Sequence, residues 1–200
     1  PRGHIEGRNV LHINERVEAL AEAENIPIFE AGHILKKGKE TLLRTRDKRT
    51  KPDRDEKIIT SWNGLMITAL AHAYSVLGDF SYLDAATRCA DFIWENQWKS
   101  GRLLRIHYEG VSKLEGCLDD YAYLLESLVM LYESSLDSRW IERAKDLADS
   151  MIGEFWDDKE GGFFLSGRSG EPLICKLKNP ADEALPSANA IATLALTKLG

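Results

Sequence analysis

Residues 61–97, SWNGLMITALAHAYSVLGDFSYLDAATRCADFIWENQ, align without a gap on residues 119–155, DDYAYLLESLVMLYESSLDSRWIERAKDLADSMIGEF. A shift of 58 residues carries Tyr74 onto Tyr132, Asp79 onto Asp137, Tyr82 onto Trp140, Leu83 onto Ile141, Ala86 onto Ala144 and Ala90 onto Ala148. A fixed period of this length marks stacked supersecondary units. Each unit reads as helix, tight turn, helix.

The two helices of a unit differ in kind. Residues 61–77 are apolar nearly all round (Leu65, Met66, Ile67, Leu70, Ala73, Tyr74, Leu77), as are residues 121–132 (Leu124, Leu125, Leu128, Val129, Leu131), which predicts helices buried on most sides. Their partners carry one apolar stripe, Leu83, Ala86, Ala90 and Ile93 in the first and Ile141, Ala144, Ala148 and Met151 in the second, with a charged face opposite. Those are surface helices. Alternation of buried and surface helices describes two concentric layers. The expected fold is therefore all-α, an (α/α) toroid of helical hairpins, with a third inner helix from Ser187 through Ile191, Leu194 and Leu196.

Outward from the repeat, helical spacing predicts a short helix over 14–24 and a longer one from Phe29 to Arg49, separated by Asn25-Ile26-Pro27. The charged stretch TKPDRDEK (50–57), with Pro52, reads as a loop. This predicts a linker with N-terminal helices over 1–49 and a partial hairpin domain over 50–200. The chain starts at Pro1 and ends at Leu199-Gly200 inside a helical pattern, which reads as part of a longer protein. Connections within a unit are tight, while those from a surface helix to the next buried one are long. RLLRIHY and VSKL about Glu109-Gly110 predict one small β-hairpin, and GGFFLS and EPLICKL about Gly167 to Gly170 predict a second. Long loops gathered at one end of a packed scaffold commonly carry function.

Composition narrows the partners. A net charge of −6 supplies no positive field for phosphate backbones, so nucleic acid is not expected. Lys36, Lys37, Lys39, Arg44, Arg46, Lys48, Arg49 and Lys51 alternate with Glu40, Asp47 and Asp53 and read as a solvated helix face. No run of about 18 apolar residues predicts a membrane span. Cys89, Cys117 and Cys175 are odd in number and widely spaced, which fits reduced thiols and a cytoplasmic setting. No His/Asp/Glu set has metal-ligand spacing, so neither metal nor cofactor is expected.

Four ordered motifs, KPDRDEKIITSWNGLMITALA (51–71), EGCLDDYAYLLESLVMLYE (115–133), FWDDKEGGFF (155–164) and KNPADEALPSANA (178–190), closely resemble the thioredoxin-domain-containing family of spermatogenesis-associated protein 20. The resemblance implies a thioredoxin-like domain elsewhere in the full-length chain. It also implies that this segment is part of a helical domain similar to six-hairpin glycosidases and N-acylglucosamine 2-epimerases, a partial six-hairpin barrel. GHIEGRNVLHI (3–13) resembles the family's segment after the thioredoxin-like part, so Ile5-Glu6-Gly7-Arg8 reads as native rather than as a protease-site tag. The family's PSGNS stands here as Pro186-Ser187-Ala188-Asn189-Ala190, and its paired aspartates before Lys57 as Asp55-Glu56.

The repeat makes Ser61, Asp119 and Ser187 equivalent at the starts of inner helices, where Ser and Asp are preferred N-caps. Capping alone accounts for such residues. Beyond the caps, Trp62, Asn63, Asp120, Tyr121 and Asn189 lie in first turns that face a common mouth. Asp120 there also complements the helix dipole. A mouth ringed by carboxylates, amides and aromatic faces suits a sugar-like small molecule, with Arg105, Lys178 and Asp182 closing over it from the long loops. Asp119, Asp120 and His107 are the candidate acid–base groups. Adjacent aspartates diverge on a helix start and so suit a glycosidase pair less well than an epimerase or isomerase reaction. The alternative is a non-catalytic scaffold partnering the thioredoxin-like domain. An inner helix edge built on Leu194 and Leu196 without neighbours is also expected to favour self-association. Helix is expected over about 55–65% of residues, well above the usual third; a far-ultraviolet circular dichroism spectrum dominated by strand would exclude this architecture.

Overall fold

The computed structural model describes residues 12–170 and 173–200; Ile5 to Arg8 and the start of the GHIEGRNVLHI segment lie outside them. The chain divides between Asp55 and Glu56 into two compact units. The first holds α1 (Val17–Ala23) and α2 (Ile28–Asp47), packed on each other, with the small side chains of Ala21 and Ala31 buried. The basic face of α2 is solvated, and Glu40–Arg44 and Asp47–Lys51 pair across one turn of backbone.

The second unit is the hairpin stack. It contains β1 (Ile58–Ile59), α3 (Thr60–Leu77), α4 (Phe80–Gln97), β2 (Trp98–Lys99), β3 (Arg102–Tyr108), β4 (Val111–Glu115), α5 (Leu118–Ser135), α6 (Ser138–Phe155) and α7 (Ala188–Leu199). The shift of 58 residues carries the bounds of α3 onto those of α5 and the bounds of α4 onto those of α6. The turns repeat as well. Gly78 (φ 70°) and Leu136 (φ 55°) close the inner helices in the left-handed conformation, and Asp79 and Asp137 cap the outer ones by accepting the N–H of Ser81 and Arg139. Helices dominate the described residues, and no helix among them is long and apolar enough to cross a membrane.

α5 is the centre of the unit. It packs on α3, α4, α6 and α7, and its buried residues, from Leu118 to Leu131, face every direction. α3 departs from the expectation of burial all round. It packs on α4 and α5 and touches β1 and β3, while Trp62, Met66 and Val76 form an exposed edge and His72 is exposed as well. On α7, Leu194 is exposed while Ala192 and Ala195 are buried.

β3 and β4 form the first expected hairpin. Glu109 (φ 50°) and Gly110 (φ 77°) make its two-residue turn, a geometry that needs positive φ at both positions. β3 also pairs with β1 and β2, so the hairpin grows into a four-stranded antiparallel sheet. The second expected hairpin does not form among the described residues, which show only a bridge between Trp156 and Phe163. Its backbone groups go elsewhere. The Asn189 side-chain amide takes both the N–H and the C=O of Phe163, at 2.7 and 2.9 Å, and Leu165 bonds to Leu118 and to Leu177. A helix side chain thus occupies the place of a partner strand.

Inner helices approach closely where Gly64 of α3 meets α5. A Cβ there would lie 2.8 Å from the Tyr123 carbonyl carbon and 2.9 Å from the Leu124 nitrogen, both backbone atoms that cannot yield singly. Gly64→Ala is expected to destabilise the protein by about 1–3 kcal/mol through overpacking. Gly153, on α6 with open space about it, is the control: Gly153→Ala is expected to stabilise by about 0.5–1 kcal/mol. Urea midpoints of the two variants check the pair, and equal effects would refute the close approach.

Candidate functional site

The starts of the inner helices converge through one buried carboxylate. Asp120 is fully buried at the third position of α5. Its Oδ1 accepts the Ser61 N–H of α3 at 2.9 Å, and its Oδ2 accepts the Cys117 N–H at 2.9 Å and Arg105 Nη1 of β3 at 2.8 Å. All three neighbours donate, which is the geometry of an ionised carboxylate. Burial, with Asp119 alongside, pushes its pKa up, against the pull of Arg105 and the N–H groups. Burial also works against the charge of Arg105, but Asp120 and Asp119 outweigh it and hold the guanidinium protonated.

This geometry corrects the capping assignments. Ile59, which carries no capping side chain, is the N-cap of α3, and Ser61 lies inside the first turn. Cys117, not Asp119, is the N-cap of α5, in a reciprocal capping box with Asp120. Only Ser187 caps as expected, accepting the Ala190 N–H. The physical reason is the repeat itself: the helix starts one residue before the aligned Ser61 and Asp119, so the side chains there fall in the first turn.

Next to this knot lies a cleft of about 560 Å³. Arg105, Asp119, Tyr123 and Ser187 line it together with Ser166, Cys175, Leu177, Asn179, Glu183 and Leu185 of the long loop. Asp119 is partly exposed and pairs with Arg105 Nη1 at 3.3 Å. The Tyr123 hydroxyl donates to the Pro186 carbonyl at 2.5 Å and so ties α5 to the start of α7. Burial, then Asp119, Asp120 and Asp182, raise the pKa of that phenol.

Of the residues proposed from sequence, Arg105, Asp119 and Ser187 line the cleft. The others are placed elsewhere. His107 bonds Ser112 at 2.8 Å across the β3–β4 pair and sets its ring edge-on to Phe92. Lys178 pairs with Asp157 and donates to the Gly161 carbonyl, so it braces its own loop. Asp182 accepts the Ser187 N–H at 2.8 Å. Tyr121 is buried, accepts the Leu103 N–H and packs on Phe155. Asn63 turns to the Ile59 carbonyl and to Cys89, and Trp62 lies on the exposed edge of α3. Asn189 holds Phe163 and borders a shallow groove along α7. Apart from Trp62, each of these side chains has a backbone or side-chain partner that spacing along the chain does not reveal.

Sequence reasoning missed Cys117, Tyr123, Asn179 and Glu183. Tyr123 was legible in principle, being two positions beyond Tyr121 and hence turned to a different side of α5. Cys117, Asp119 and Asp120 bring one potential ligand atom each within 4.8 Å of one another, but the Arg105 guanidinium bonds both aspartates and takes the cation's place.

The class of protein follows from this arrangement: an (α/α) helical-hairpin protein of the toroid type, with a cleft at the starts of its inner helices. The fold is similar to that of a sugar epimerase from a ruminal bacterium (TM-score 0.60, 16% identity, covering 74% of this chain and 40% of that one). It is likewise similar to a family 105 glycoside hydrolase of C. acetobutylicum ATCC 824 (TM-score 0.58, 13% identity, 91% of this chain and 54% of that one). No protein-family model matches the chain. The sequence is a relative of spermatogenesis-associated protein 20: the Homo sapiens protein is 35% identical over 210 residues, covering all of this chain and 27% of the human protein. The chain therefore spans about a quarter of the length of that relative.

The neighbouring aspartates have separable roles. Asp120→Asn places an amide N–H against at least one of three inward donors and is expected to cost about 1–3 kcal/mol. Asp119→Asn, at a half-exposed carboxylate, is expected to stay within about 0.5 kcal/mol. Thermal or urea unfolding of both variants checks this, and equal costs would remove Asp120 from its central place.

Proposed function

We propose that this chain forms one wall of the carbohydrate site in an epimerase- or isomerase-like helical toroid, part of a larger cytoplasmic protein that also carries a thioredoxin-like domain. The observation that carries the reading is the cleft. Its volume lies within the usual range for small-molecule sites, about 300–1,000 Å³. Its polar groups, Asp119, Arg105, Ser187 and Asn179, converge at the helix starts.

Asp119 accepts sugar hydroxyls or takes a proton from the carbon beside a carbonyl, since it alone of the two aspartates reaches the cleft. Arg105, held between both aspartates, donates to the carbonyl oxygen where negative charge develops. Asp120 positions these groups without touching ligand. His107 drops out of the catalytic set because its ring is engaged on the sheet. Three free thiols, Cys89, Cys117 and Cys175, support a reducing compartment.

A second reading has its own support. Leu165, Leu173, Leu177, Leu185 and Pro186 give the cleft apolar walls, which suit a protein segment docking in a scaffold. Full-length protein incubated in D₂O with a panel of reducing sugars separates the two, with proton exchange at the carbon beside the carbonyl followed by NMR. The enzyme reading expects exchange that falls by about 10²-fold or more in Asp119→Asn at unchanged melting temperature. Absence of both binding and exchange across the panel would sink it and leave the scaffold.

A further inference from the structure

Two of the three cysteines open onto one cleft. Cys117, at the start of α5, and Cys175, on the long loop between α6 and α7, both line it, one from the helix start and one from the loop. Cys89 does not; it sits on α4 and donates to Asn63 Oδ1 at 3.3 Å. The backbone connects the two sides through a single residue. The Leu165 carbonyl accepts the N–H of Leu118, next to Cys117, at 3.1 Å, and the Leu165 N–H donates to the carbonyl of Leu177, two residues beyond Cys175, at 2.8 Å. Leu165 therefore links the residue after Cys117 to a residue two positions from Cys175.

We propose that Cys117 and Cys175 are a thiol pair that exchanges with small disulfides to form a crosslink across the cleft. The chemistry needs only an oxidant of the class of oxidised glutathione. Cys175 is exposed and meets the oxidant first: its thiolate attacks one sulfur of the small disulfide, a mixed disulfide forms, and one thiol leaves. Cys117 then loses its proton, attacks the Cys175 sulfur and expels the second small thiol. Two protein thiols and one disulfide give one protein disulfide and two small thiols. The order follows from the surroundings, because burial pushes the Cys117 thiol up and leaves it the slower nucleophile toward solvent.

The crosslink fastens the loop to the start of α5 and closes the cleft over Arg105 and Asp119. Bond formation requires the two Cα atoms within about 7 Å. Residues 173–180 carry no helix or strand, and the ties that hold them, from Leu177 to Leu165 and from Lys178 to Asp157 and Gly161, lie beyond Cys175 in the chain. The pair stands independently of the carbohydrate reading, since it is read by covalent chemistry alone.

The test treats native full-length protein with oxidised glutathione, alkylates the remaining thiols and maps peptides. The expected product is a Cys117–Cys175 linked peptide, with Cys89 alkylated. In Cys117→Ser, which keeps a good N-cap, Cys175 is expected to stop at the glutathione adduct; in Cys175→Ser, Cys117 is expected to remain a free thiol. A persistent adduct on Cys175 of the unsubstituted protein, a link through Cys89, or no reaction at either cysteine overturns the proposal.

Discussion

The unit from Glu56 to Gly200 depends on one buried charge and its three donors. Asp120 accepts the Cys117 N–H just before α5, captures the N–H of Ser61 at the start of α3, and anchors β3 through Arg105. Desolvating a carboxylate is costly, and the cost is offset only where every lone pair facing the interior meets a donor. That condition fixes the relative height of α3 and α5. Gly64, one turn beyond Ser61, lies where the α5 backbone leaves no room for a Cβ.

From that knot the remaining ties run outward. Arg105 is held by Asp120, and its second contact, to Asp119, brings one partly exposed carboxylate to the edge of the cleft. Tyr123 reaches from α5 to Pro186, Asp182 caps the start of α7, and Asn189 returns from α7 to Phe163. These bonds join helix starts to the long loops. The loops can therefore be irregular, since their polar backbone groups are satisfied by side chains rather than by a partner strand.

The cleft takes its character from the same division. Its α5 side is charged and held by ion pairs, and its loop side is built from leucines, Pro186 and a few polar groups. One side is thus preorganised for hydrogen bonding while the other offers apolar contact, an arrangement common in small-molecule sites. Cys117 and Cys175 both line the cleft, one on each part of that division.

Periodicity in the sequence determined the hairpin repeat, the inner and outer assignment of the helices, the turn at Glu109-Gly110 and the Ser187 cap, because each rests on contacts within a few residues or on a stripe of side chains. Arg105, Asp119 and Ser187 were also within reach of that reading, being polar groups at helix starts or on the first hairpin. What only the tertiary structure decided was the division of labour among the polar residues. Asp119 and Asp120 are chemically identical neighbours, yet one meets Arg105 at a cleft and the other disappears among donors from α3, β3 and its own cap. The second loop reads as a strand pair, yet the Asn189 amide displaces a strand. Hydrogen-bond partners 14 to 63 residues apart made those choices, as Arg105 with Asp119, Asn189 with Phe163 and Tyr123 with Pro186 did. A one-dimensional pattern reports which side chains can bond and leaves open which partner folding brings within reach.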